Sequence, residues 1–247
     1  MTDQSNTGMV VLANSEASSA CWSCGKMRAA QFCTSCGKVQ PPAPADHFAY
    51  FGLPRKLDLD VARLERDFYL LSRKLHPDLY GTANLREQEW SLEQTSKLND
   101  AYRTLKDPIA RTQYLLRLEG VELEEQSKAA TEKARSTGEM KKQVVPPDLL
   151  EDVFELNMQL EELRAQKKLG DDDPALLEEI GKQKLSLEDK QDALLHELKG
   201  YWNDWDGTAD GDEATRAQVR NKMVDLLNRR NYIRNLVRDV NEVLENC

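Results

Sequence analysis

Residues 71 to 81 read LSRKLHPDLYG and place His76-Pro77-Asp78 between two segments with helical periodicity. The preceding segment, from about Leu59 to Leu75, repeats apolar residues on one face. A polar run from Leu79 to Glu87 opens a second helix that ends near Leu105. Because proline disfavours a helical conformation in the residue before it, the tripeptide predicts the tip of an antiparallel helical hairpin.

The helix before the tripeptide has two distinct faces. At helical spacing an arc of roughly 80° is apolar and contains Val61, Leu64, Phe68, Leu71 and Leu75. A separate arc of roughly 100° is cationic and contains Arg63, Arg66, Arg73 and Lys74. The first arc predicts a buried face. The second predicts a docking surface for an acidic partner, with an ordinary solvated face as the alternative.

The rest of residues 46 to 118 also has a helical pattern. A short helix is predicted from Asp46 to Phe51, and another from Ile109 to Leu118 after a break at Lys106-Asp107-Pro108. No serine or cysteine nucleophile motif and no second histidine lies near His76. We therefore expect a non-enzymatic protein in which the tripeptide presents its side chains rigidly to a partner.

Four cysteines near the amino terminus form two Cys-x-x-Cys-Gly motifs, namely Cys21, Cys24, Cys33 and Cys36. Four thiolates suit a tetrahedral Zn²⁺ ion, and the glycine after each pair permits the turn that points both sulfurs at one ion. We predict a structural zinc knuckle. The alternatives are an iron–sulfur centre, two disulfides or a redox-active pair. Pro41-Pro42-Ala43-Pro44 follows and predicts a stiff spacer.

A second informative pattern begins at Asp148. One apolar stripe predicts a core-facing side and contains Leu149, Val153, Leu156, Leu160 and Leu163. A separate apolar row on the same helix contains Leu150, Phe154 and Met158. One stripe is enough to pack a helix into a small bundle, so the second row predicts a binding surface. Its alternative is a helix buried on two sides.

Two further helices complete a predicted three-helix bundle. Asp171-Asp172-Asp173-Pro174 predicts a helix start, with an end around Gly200-Tyr201-Trp202 and a turn bracketed by Trp202 and Trp205. A last helix is expected from about Glu213 to Leu244. The fifth cysteine, Cys247, has no evident role.

Composition excludes several classes of protein. A net charge of −9 argues against nucleic acid as a partner, because phosphates require a basic surface. No apolar run approaches the roughly 20 residues that span a bilayer. The first 20 residues contain Asp3 and Glu16 but neither Lys nor Arg, unlike a mitochondrial presequence, so a reducing cytoplasmic setting is expected.

The predicted organisation is all-α. Residues 1–20 form a disordered amino terminus, 21–40 the tetracysteine knuckle, 46–118 the helical-hairpin domain, 119–147 a linker, and 148–247 a carboxy-terminal helical bundle.

The chain resembles a known family at several separate motifs. These are Leu53-Pro54, His76-Pro77-Asp78, the run from Leu98 to Leu105, Asp107-Pro108, and Arg111 to Leu118 with Gly120. Together they look like the J-domain of the iron–sulfur cluster co-chaperone HscB, and the tetracysteine knuckle is similar to that of its eukaryotic-type members.

The resemblance implies a J-domain that docks on a seventy-kilodalton heat-shock-type chaperone and stimulates its ATPase. It implies chaperone contacts at His76, Pro77, Asp78, Arg66, Arg73 and Lys74, and contacts to an IscU-type scaffold protein at Leu150, Phe154 and Tyr232. One departure is Phe68-Tyr69-Leu70, where many J-proteins carry basic residues, and it points to a dedicated chaperone. The alternatives are a general J-protein with an unrelated client and a cysteine-based metal-handling or redox protein. A mitochondrial location is the alternative to the cytoplasm.

Overall fold

The computed structural model describes residues 20–26, 31–121, 146–169, 173–208 and 212–245. The predicted disordered start at residues 1–20 and the predicted linker at 119–147 lie mostly outside this part of the chain, which leaves out residues 1–19 and 122–145. Two compact units, Met1–Tyr114 and Leu115–Cys247, make up the molecule. The all-α fold class is confirmed, since helices account for the regular structure of the described ranges apart from an isolated antiparallel bridge between Phe32 and Val39.

The first unit contains helices α1 (His47–Tyr50), α2 (Val61–Leu75) and α3 (Leu85–Lys106), with a 3-10 turn at Pro77–Tyr80. Helix α4 (Pro108–Leu118) begins in this unit and ends in the second. Each of α1, α2 and α3 begins directly after a capping side chain, Asp46, Asp60 or Asn84, that accepts a hydrogen bond from a first-turn amide. The cap at Asp60 explains why α2 begins two residues later than the apolar periodicity predicts.

Helices α2 and α3 form the antiparallel hairpin predicted around His76-Pro77-Asp78. The apolar stripe of α2 is confirmed as its core face, with Leu64 and Leu75 buried and Phe68 and Leu71 partly buried. Phe68 stacks on Tyr102 of α3, with ring centroids 4.0 Å apart. The core of the hairpin therefore lies between the faces that the periodicity selects.

The cysteine-bearing segment packs against this hairpin. The proline spacer instead predicts a knuckle that is separate from the hairpin. Val39 is fully buried in one cluster with Tyr50, Leu75, Leu98 and Ala101. The physical reason is that Val39 is an apolar residue at the end of a segment too short to bury it alone, so it completes a neighbouring core. The knuckle and the hairpin thus share a hydrophobic core.

The carboxyl end of α4 explains Gly120, the last residue of the family-like tail. Gly120 has φ +77°, and its amide donates to the carbonyl of Arg117 at 3.0 Å. The amide of Val121 donates to the carbonyl of Leu116, also at 3.0 Å. This pair of bonds is a Schellman motif, which requires a left-handed residue and therefore favours glycine.

The second unit contains a 3-10 turn at Pro147–Leu149 and helices α5 (Leu150–Leu169), α6 (Pro174–Gly207) and α7 (Glu213–Glu245). The predicted start of α6 is confirmed, because Asp173 caps the amides of Ala175 and Leu176 and Pro174 occupies the first helical position. Helices α5, α6 and α7 pack against one another as a three-helix bundle. The core stripe from Leu149 to Leu163 is buried throughout.

The predicted end of α6 at Gly200-Tyr201-Trp202 is wrong, because the helix continues to Gly207. Glycine inside a helix costs about 1 kcal/mol. Trp202 and Trp205 are both buried on the helix, and burying a large apolar side chain contributes about 1.5–3 kcal/mol. Tertiary burial therefore overrides the local helix-breaking signal, and the two tryptophans anchor the core as part of the helix.

Within the described ranges, no helix combines the length and the apolar character needed to cross a membrane.

Candidate partner-binding surfaces and metal centre

The His76-Pro77-Asp78 tripeptide forms an exposed turn directly after α2. His76 has φ −55° and ψ 126°, the extended conformation imposed by Pro77. Its Nδ1 atom accepts a hydrogen bond from the amide of Asp78 at 3.3 Å and lies 3.4 Å from Oδ2 of Asp78. The turn is closed by the amide of Leu79, which donates to the carbonyl of His76 at 3.0 Å. The imidazole and carboxylate are thus held against each other on a fixed backbone.

Hydrogen bonds from α3 and from the 3-10 turn hold the end of α2 that carries the tripeptide. The buried hydroxyl of Ser91 donates to the carbonyl of Leu75 at 2.6 Å, and the hydroxyl of Thr95 donates to the same carbonyl at 3.0 Å. The hydroxyl of Tyr80 donates to the carbonyl of Lys74 at 3.1 Å. Carbonyls in the last turn of a helix have no partner within it, so these side chains satisfy them and orient His76.

The cationic face of α2 is exposed at the predicted chaperone contacts Arg66, Arg73 and Lys74. Arg63, the fourth cation of that face, lies 3.8 Å from the carboxylate of Asp67 one turn along the helix. The net positive surface is therefore concentrated toward the carboxyl end of α2, beside the tripeptide.

Two apolar side chains stand among these cations. Tyr69 is 54% exposed and Leu70 is 57% exposed. The Tyr69 ring packs edge-on against the partly buried ring of Phe68, with ring centroids 5.4 Å apart. The surface of α2 thus combines cations with apolar side chains.

The four cysteine sulfurs lie together in one cage, all within 4.8 Å of one another. The Sγ atoms of Cys21 and Cys36 are 3.7 Å apart, and those of Cys24 and Cys33 are 3.6 Å apart. These cysteines are free thiols, which sets aside the disulfide alternative in this structure. Four ligands at about 2.3 Å around a tetrahedral ion would place the sulfurs about 3.8 Å apart, so the spacing fits a single metal ion.

The two halves of the cage repeat the same local geometry. Gly25 and Gly37 have φ +71° and +72°, and their amides donate at 2.9 Å to the carbonyls of Cys21 and Cys33. The amides of Ser23 and Ser35 donate at 3.4 Å to the sulfurs of those same two cysteines. This repetition is the loop predicted from the glycine after each Cys-x-x-Cys pair.

These backbone donors change the acidity of the thiols. Burial by itself would raise the pKa of Cys21, but hydrogen bonds from the backbone of Cys24 and Ser23 lower it to about 6. Backbone hydrogen bonds from Cys36 and Ser35 also lower the pKa of Cys33. A backbone hydrogen bond at Lys26 favours the thiolate of Cys24, yet desolvation and the adjacent thiols raise its pKa to about 11. Full occupation of the cage would therefore release protons.

The apolar row on α5 faces away from the bundle. Leu150, Phe154 and Met158 are 54%, 69% and 60% exposed. The alternative of a helix buried on two sides therefore does not apply to this structure. Leu150 and Phe154 lie one turn apart on one face, where a partner could contact both.

Tyr232, the third residue that the resemblance assigns to scaffold binding, differs in its surroundings. It lies on α7 and is only 7% exposed. Burial raises the pKa of its phenol, and the charge of Asp239 adds to the effect. Its role stays a prediction, and in this conformation only a small part of its surface could meet a partner.

Sequence reasoning missed the buried polar residues of α3. Glu87 and Gln94 join the knuckle to the hairpin, and Ser91 bonds to the end of α2. Glu87, Ser91 and Gln94 of α3 are all buried. They occupy the same helical face as Leu98, Ala101 and Leu105, the buried positions farther along α3. The signal available in the sequence was that these polar residues share a helical face with an apolar stripe. Such residues are expected to be buried, and buried polar groups require hydrogen-bond partners.

Comparisons with known proteins agree on one family. The iron–sulfur cluster co-chaperone protein HscB homolog of Arabidopsis thaliana is 34% identical over 113 residues, 45% of each chain. The co-chaperone protein HscB homolog of Bordetella petrii is 35% identical over 129 residues, 51% of this chain and 76% of the relative. The iron–sulfur cluster co-chaperone protein HscB of Mus musculus is 35% identical over 124 residues, 48% of this chain and 53% of its own. Except for the Bordetella petrii protein, the chain thus spans about half the length of these curated relatives, and no family model matches it.

Two solved structures have the same fold. Human co-chaperone protein HscB matches with a TM-score of 0.57 and 24% identity, covering 90% of this chain and 96% of its own. The chaperone HscB of Vibrio cholerae matches with a TM-score of 0.51 and 25% identity, covering 82% of this chain and 99% of its own. At these identities the likeness supports the architecture rather than any residue's role.

Proposed function

The chain belongs to the HscB family of iron–sulfur cluster co-chaperones, and we propose that it delivers an IscU-type scaffold protein to a seventy-kilodalton heat-shock-type chaperone and stimulates that chaperone's ATPase. The observation that carries the proposal is the presence of two dissimilar exposed surfaces in two separate units. One is a rigid polar turn beside a cationic helix, and the other is an unburied apolar row.

The chaperone-binding half of the proposal is assigned to the first unit. Arg66, Arg73 and Lys74 would attract an acidic surface and orient the encounter. His76-Pro77-Asp78 would then contact the chaperone with little loss of conformational entropy, because its backbone is already fixed. To stimulate hydrolysis, the turn must bind the hydrolysing state of the chaperone more tightly than the resting state.

The exposed apolar pair on α2, Tyr69 and Leu70, would make the first unit selective for one chaperone. Tyr69 and Leu70 occupy positions where many J-proteins carry basic residues, and both are exposed. A partner that matches them needs an apolar patch inside an acidic surface. We therefore propose a dedicated chaperone rather than a general one.

The scaffold-binding half of the proposal is assigned to α5. Leu150 and Phe154 would bury their exposed surfaces against an apolar groove of the scaffold protein, as helix faces do in grooves. Met158 extends the same row by one turn and adapts readily to an irregular surface. Tyr232 would add its exposed edge.

The two halves act together by tethering. A scaffold protein held by the second unit is delivered at high effective concentration to a chaperone held by the first. No covalent chemistry by this chain is required, so we propose an ATPase-stimulating co-chaperone with no catalytic residue of its own.

The proposed ion in the cysteine cage is Zn²⁺ with a structural role. Cys21, Cys24, Cys33 and Cys36 would hold it, and a single tetrahedral ion matches the sulfur spacing better than a cluster of several irons. Metal analysis of the purified chain would be expected to find one zinc per chain and four thiols protected until the metal is removed. Iron with inorganic sulfide, or thiols that cycle between oxidation states, would contradict this assignment.

The proposed compartment is the cytoplasm, with the mitochondrion as the alternative. Cell fractionation of the full-length protein would decide between them.

An ATPase assay tests the function. Adding the chain to the chaperone is expected to stimulate hydrolysis, and adding an IscU-type scaffold protein as well should stimulate it more than the two separate effects combined. The synergy arises because the chain binds both proteins at once. Equal stimulation with and without the scaffold would instead favour a general J-protein with an unrelated client.

A further inference from the structure

Hydrogen bonds and apolar contacts connect the cysteine cage to the end of α2 that carries His76. We propose that metal binding in the cage positions the His-Pro-Asp turn, with Gln40, Gln94 and Ser91 as the positioning residues between them. The coupling itself depends only on the structure of the first unit. Its effect on the chaperone depends in addition on the proposed function.

The first connection joins a metal ligand to Gln40. The side-chain amide of Gln40, which is fully buried, donates to Sγ of Cys21 at 3.3 Å and to the carbonyl of Lys38 at 2.9 Å. Its backbone amide donates to the carbonyl of Gln31 at 2.9 Å. Gln40 is therefore held in place by contacts with Cys21, Gln31 and Lys38, and the position of the Cys21 sulfur affects it directly.

The second connection passes from Gln40 to helices α1 and α3. The side-chain amide of Gln94 donates to the carbonyl of Gln40 at 3.2 Å. The hydroxyl of Tyr50 donates to the backbone and side-chain oxygens of Gln94, at 2.9 and 3.0 Å. Gln31 in turn donates to the carbonyl of Tyr50 at 2.8 Å. Knuckle, α1 and α3 thus satisfy one another's buried polar groups, and losing one partner costs the desolvation of another.

The third connection passes from α3 to the turn. Ser91, one helical turn before Gln94, donates to the carbonyl of Leu75, the residue before His76. Leu75 also lies in the apolar cluster that contains Val39 of the knuckle. A shift of Val39 or of α3 therefore acts on Leu75 through both packing and hydrogen bonding.

Two further contacts join the knuckle to α3. Nζ of Lys38 lies 2.8 Å from the carboxylate of Glu87, which is buried on α3. The ring of Trp22, inside the first Cys-x-x-Cys motif, packs edge-on against Trp90 at 5.6 Å. Glu87 depends on the knuckle for its cationic partner, because a buried carboxylate without one is strongly disfavoured.

Metal loss is expected to disrupt this network because the knuckle is too short to fold without a stabilising ligand. With the cage open, Val39 and Gln40 would leave the hairpin, and Gln94 and Glu87 would lose partners. The end of α2 would then sample more conformations, and the turn would be held less firmly.

Hydrogen exchange on the full chain tests the coupling without any chaperone. The zinc-loaded chain would be compared with chain treated with a zinc chelator and then desalted, with metal content measured in both. Amides in the last turn of α2 and that of Leu79 are expected to exchange roughly 5- to 150-fold faster after chelation. Amides of α5, α6 and α7 should be unchanged. Equal protection near Leu79 in metal-free and loaded chain would overturn the proposal.

A thermodynamic cycle with Gln94→Ala separates positioning from simple stabilisation. If Gln94 carries the coupling, chelation should accelerate exchange at the turn less in this variant than in the parent chain, although the variant still binds one zinc. Glu93→Ala is the matched control, since Glu93 is the adjacent exposed residue on α3 and pairs with Lys97. It should retain the full effect of chelation.

Lys38→Ala provides a second variant should Gln94→Ala fail to fold. It leaves the apolar core intact and removes only the partner of Glu87 from the knuckle. Chelation should again have a smaller effect at the turn than in the parent. An undiminished effect in each variant that folds would show that the coupling does not use this interface and would overturn the proposal.

The ATPase assay adds a separate readout. Chain stripped of zinc should need a concentration roughly 5- to 150-fold higher for half-maximal stimulation, while its affinity for the scaffold protein should not change. If neither form stimulates the chaperone, the proposed function fails, whereas the exchange experiment still decides the coupling.

Discussion

The two units support their exposed surfaces by different physical means. In the described parts of the chain, all the buried polar and charged residues belong to the first unit, namely Gln31, Gln40, Glu87, Ser91, Gln94, Arg111 and Thr112. The core of the second unit is apolar, with leucine, valine and tryptophan at its buried positions. The first unit presents a polar turn and the second an apolar row.

This difference indicates what each surface needs. A polar turn is useful only in one orientation, and directional hydrogen bonds from Ser91 and Thr95 provide it. An apolar row needs only a stable helix beneath it, which non-directional burial provides. We therefore expect the first unit to be sensitive to single polar contacts and to metal, and the second to be sensitive to core volume.

The largest expected effect is the loss of chaperone stimulation in His76→Gln. The substitution removes the imidazole whose Nδ1 atom meets the amide of Asp78, while leaving the second unit untouched. ATPase stimulation should fall to the chaperone's basal rate, and scaffold affinity measured by calorimetry should be unchanged.

His196→Gln is the matched control, because His196 is an exposed histidine on α6. It should retain full stimulation. Parallel loss of stimulation and scaffold binding in His76→Gln would contradict the assignment of the two activities to two units.

The next largest effect is on stability, and it should differ between the cores of the two units. Leu156→Ala removes a buried side chain of α5 and should destabilise the second unit by about 2–5 kcal/mol. Chelation of the metal should destabilise only the first. The four tryptophans report on the units separately, because Trp22 and Trp90 lie in the first and Trp202 and Trp205 in the second.

Single-tryptophan versions of the chain, unfolded in denaturant, would measure both effects. Leu169→Ala, at a highly exposed position of α5, should change stability by no more than about 0.5 kcal/mol. If Leu156→Ala or chelation changed the unfolding free energy of both units, the two units would unfold together.

A smaller effect is expected at the apolar row. Leu150→Ala combined with Phe154→Ala should weaken scaffold binding by about 2–4 kcal/mol, roughly 30- to 1,000-fold in Kd. The fold should be unaffected because both side chains are exposed. Chaperone stimulation without scaffold should not change.

Leu185→Ala is the control for that experiment, since it removes an equally exposed leucine from α6. Unchanged scaffold affinity in the double variant, measured by calorimetry, would contradict the role of the row.

The smallest effect is a gain in stability from Gly181→Ala. Gly181 lies inside α6, and an added Cβ would meet no atom within 4 Å. Alanine should stabilise the helix by about 0.5–1 kcal/mol. Denaturant unfolding should show the gain for Trp202 and Trp205 but not for Trp22 and Trp90.

Much of the fold and part of the site could be predicted from local patterns. Periodicity identified the core faces of α2 and α5, and Asp173-Pro174 located the start of α6. The paired cysteines predicted a cage, and the row at Leu150 and Phe154 predicted an exposed apolar surface on α5. These features are determined by neighbouring residues on one element, so spacing alone is informative.

Features that depend on distant partners could not be predicted in this way. Gly200 predicted the end of α6, but the burial of Trp202 and Trp205 continues the helix to Gly207. Tyr232 lies away from the predicted core stripe of the last helix, which contains Leu226, Ile233, Val237, Val240 and Leu244, and is nevertheless buried. In both cases burial in the folded chain decides the outcome, and that burial does not follow from local periodicity.

Local patterns were therefore enough to predict the helices, with the exception of the end of α6. They also predicted the extended backbone at His76 and the grouping of four cysteine sulfurs, because each follows from local backbone and side-chain chemistry. By contrast, no local pattern shows that the knuckle joins the core of the hairpin. Pro41 to Pro44 predicts separation, yet Val39, Gln40 and Lys38 find their partners on α1, α2 and α3. The reason is that buried apolar and polar groups are satisfied by whatever lies next to them in space, and that proximity is a property of the folded chain.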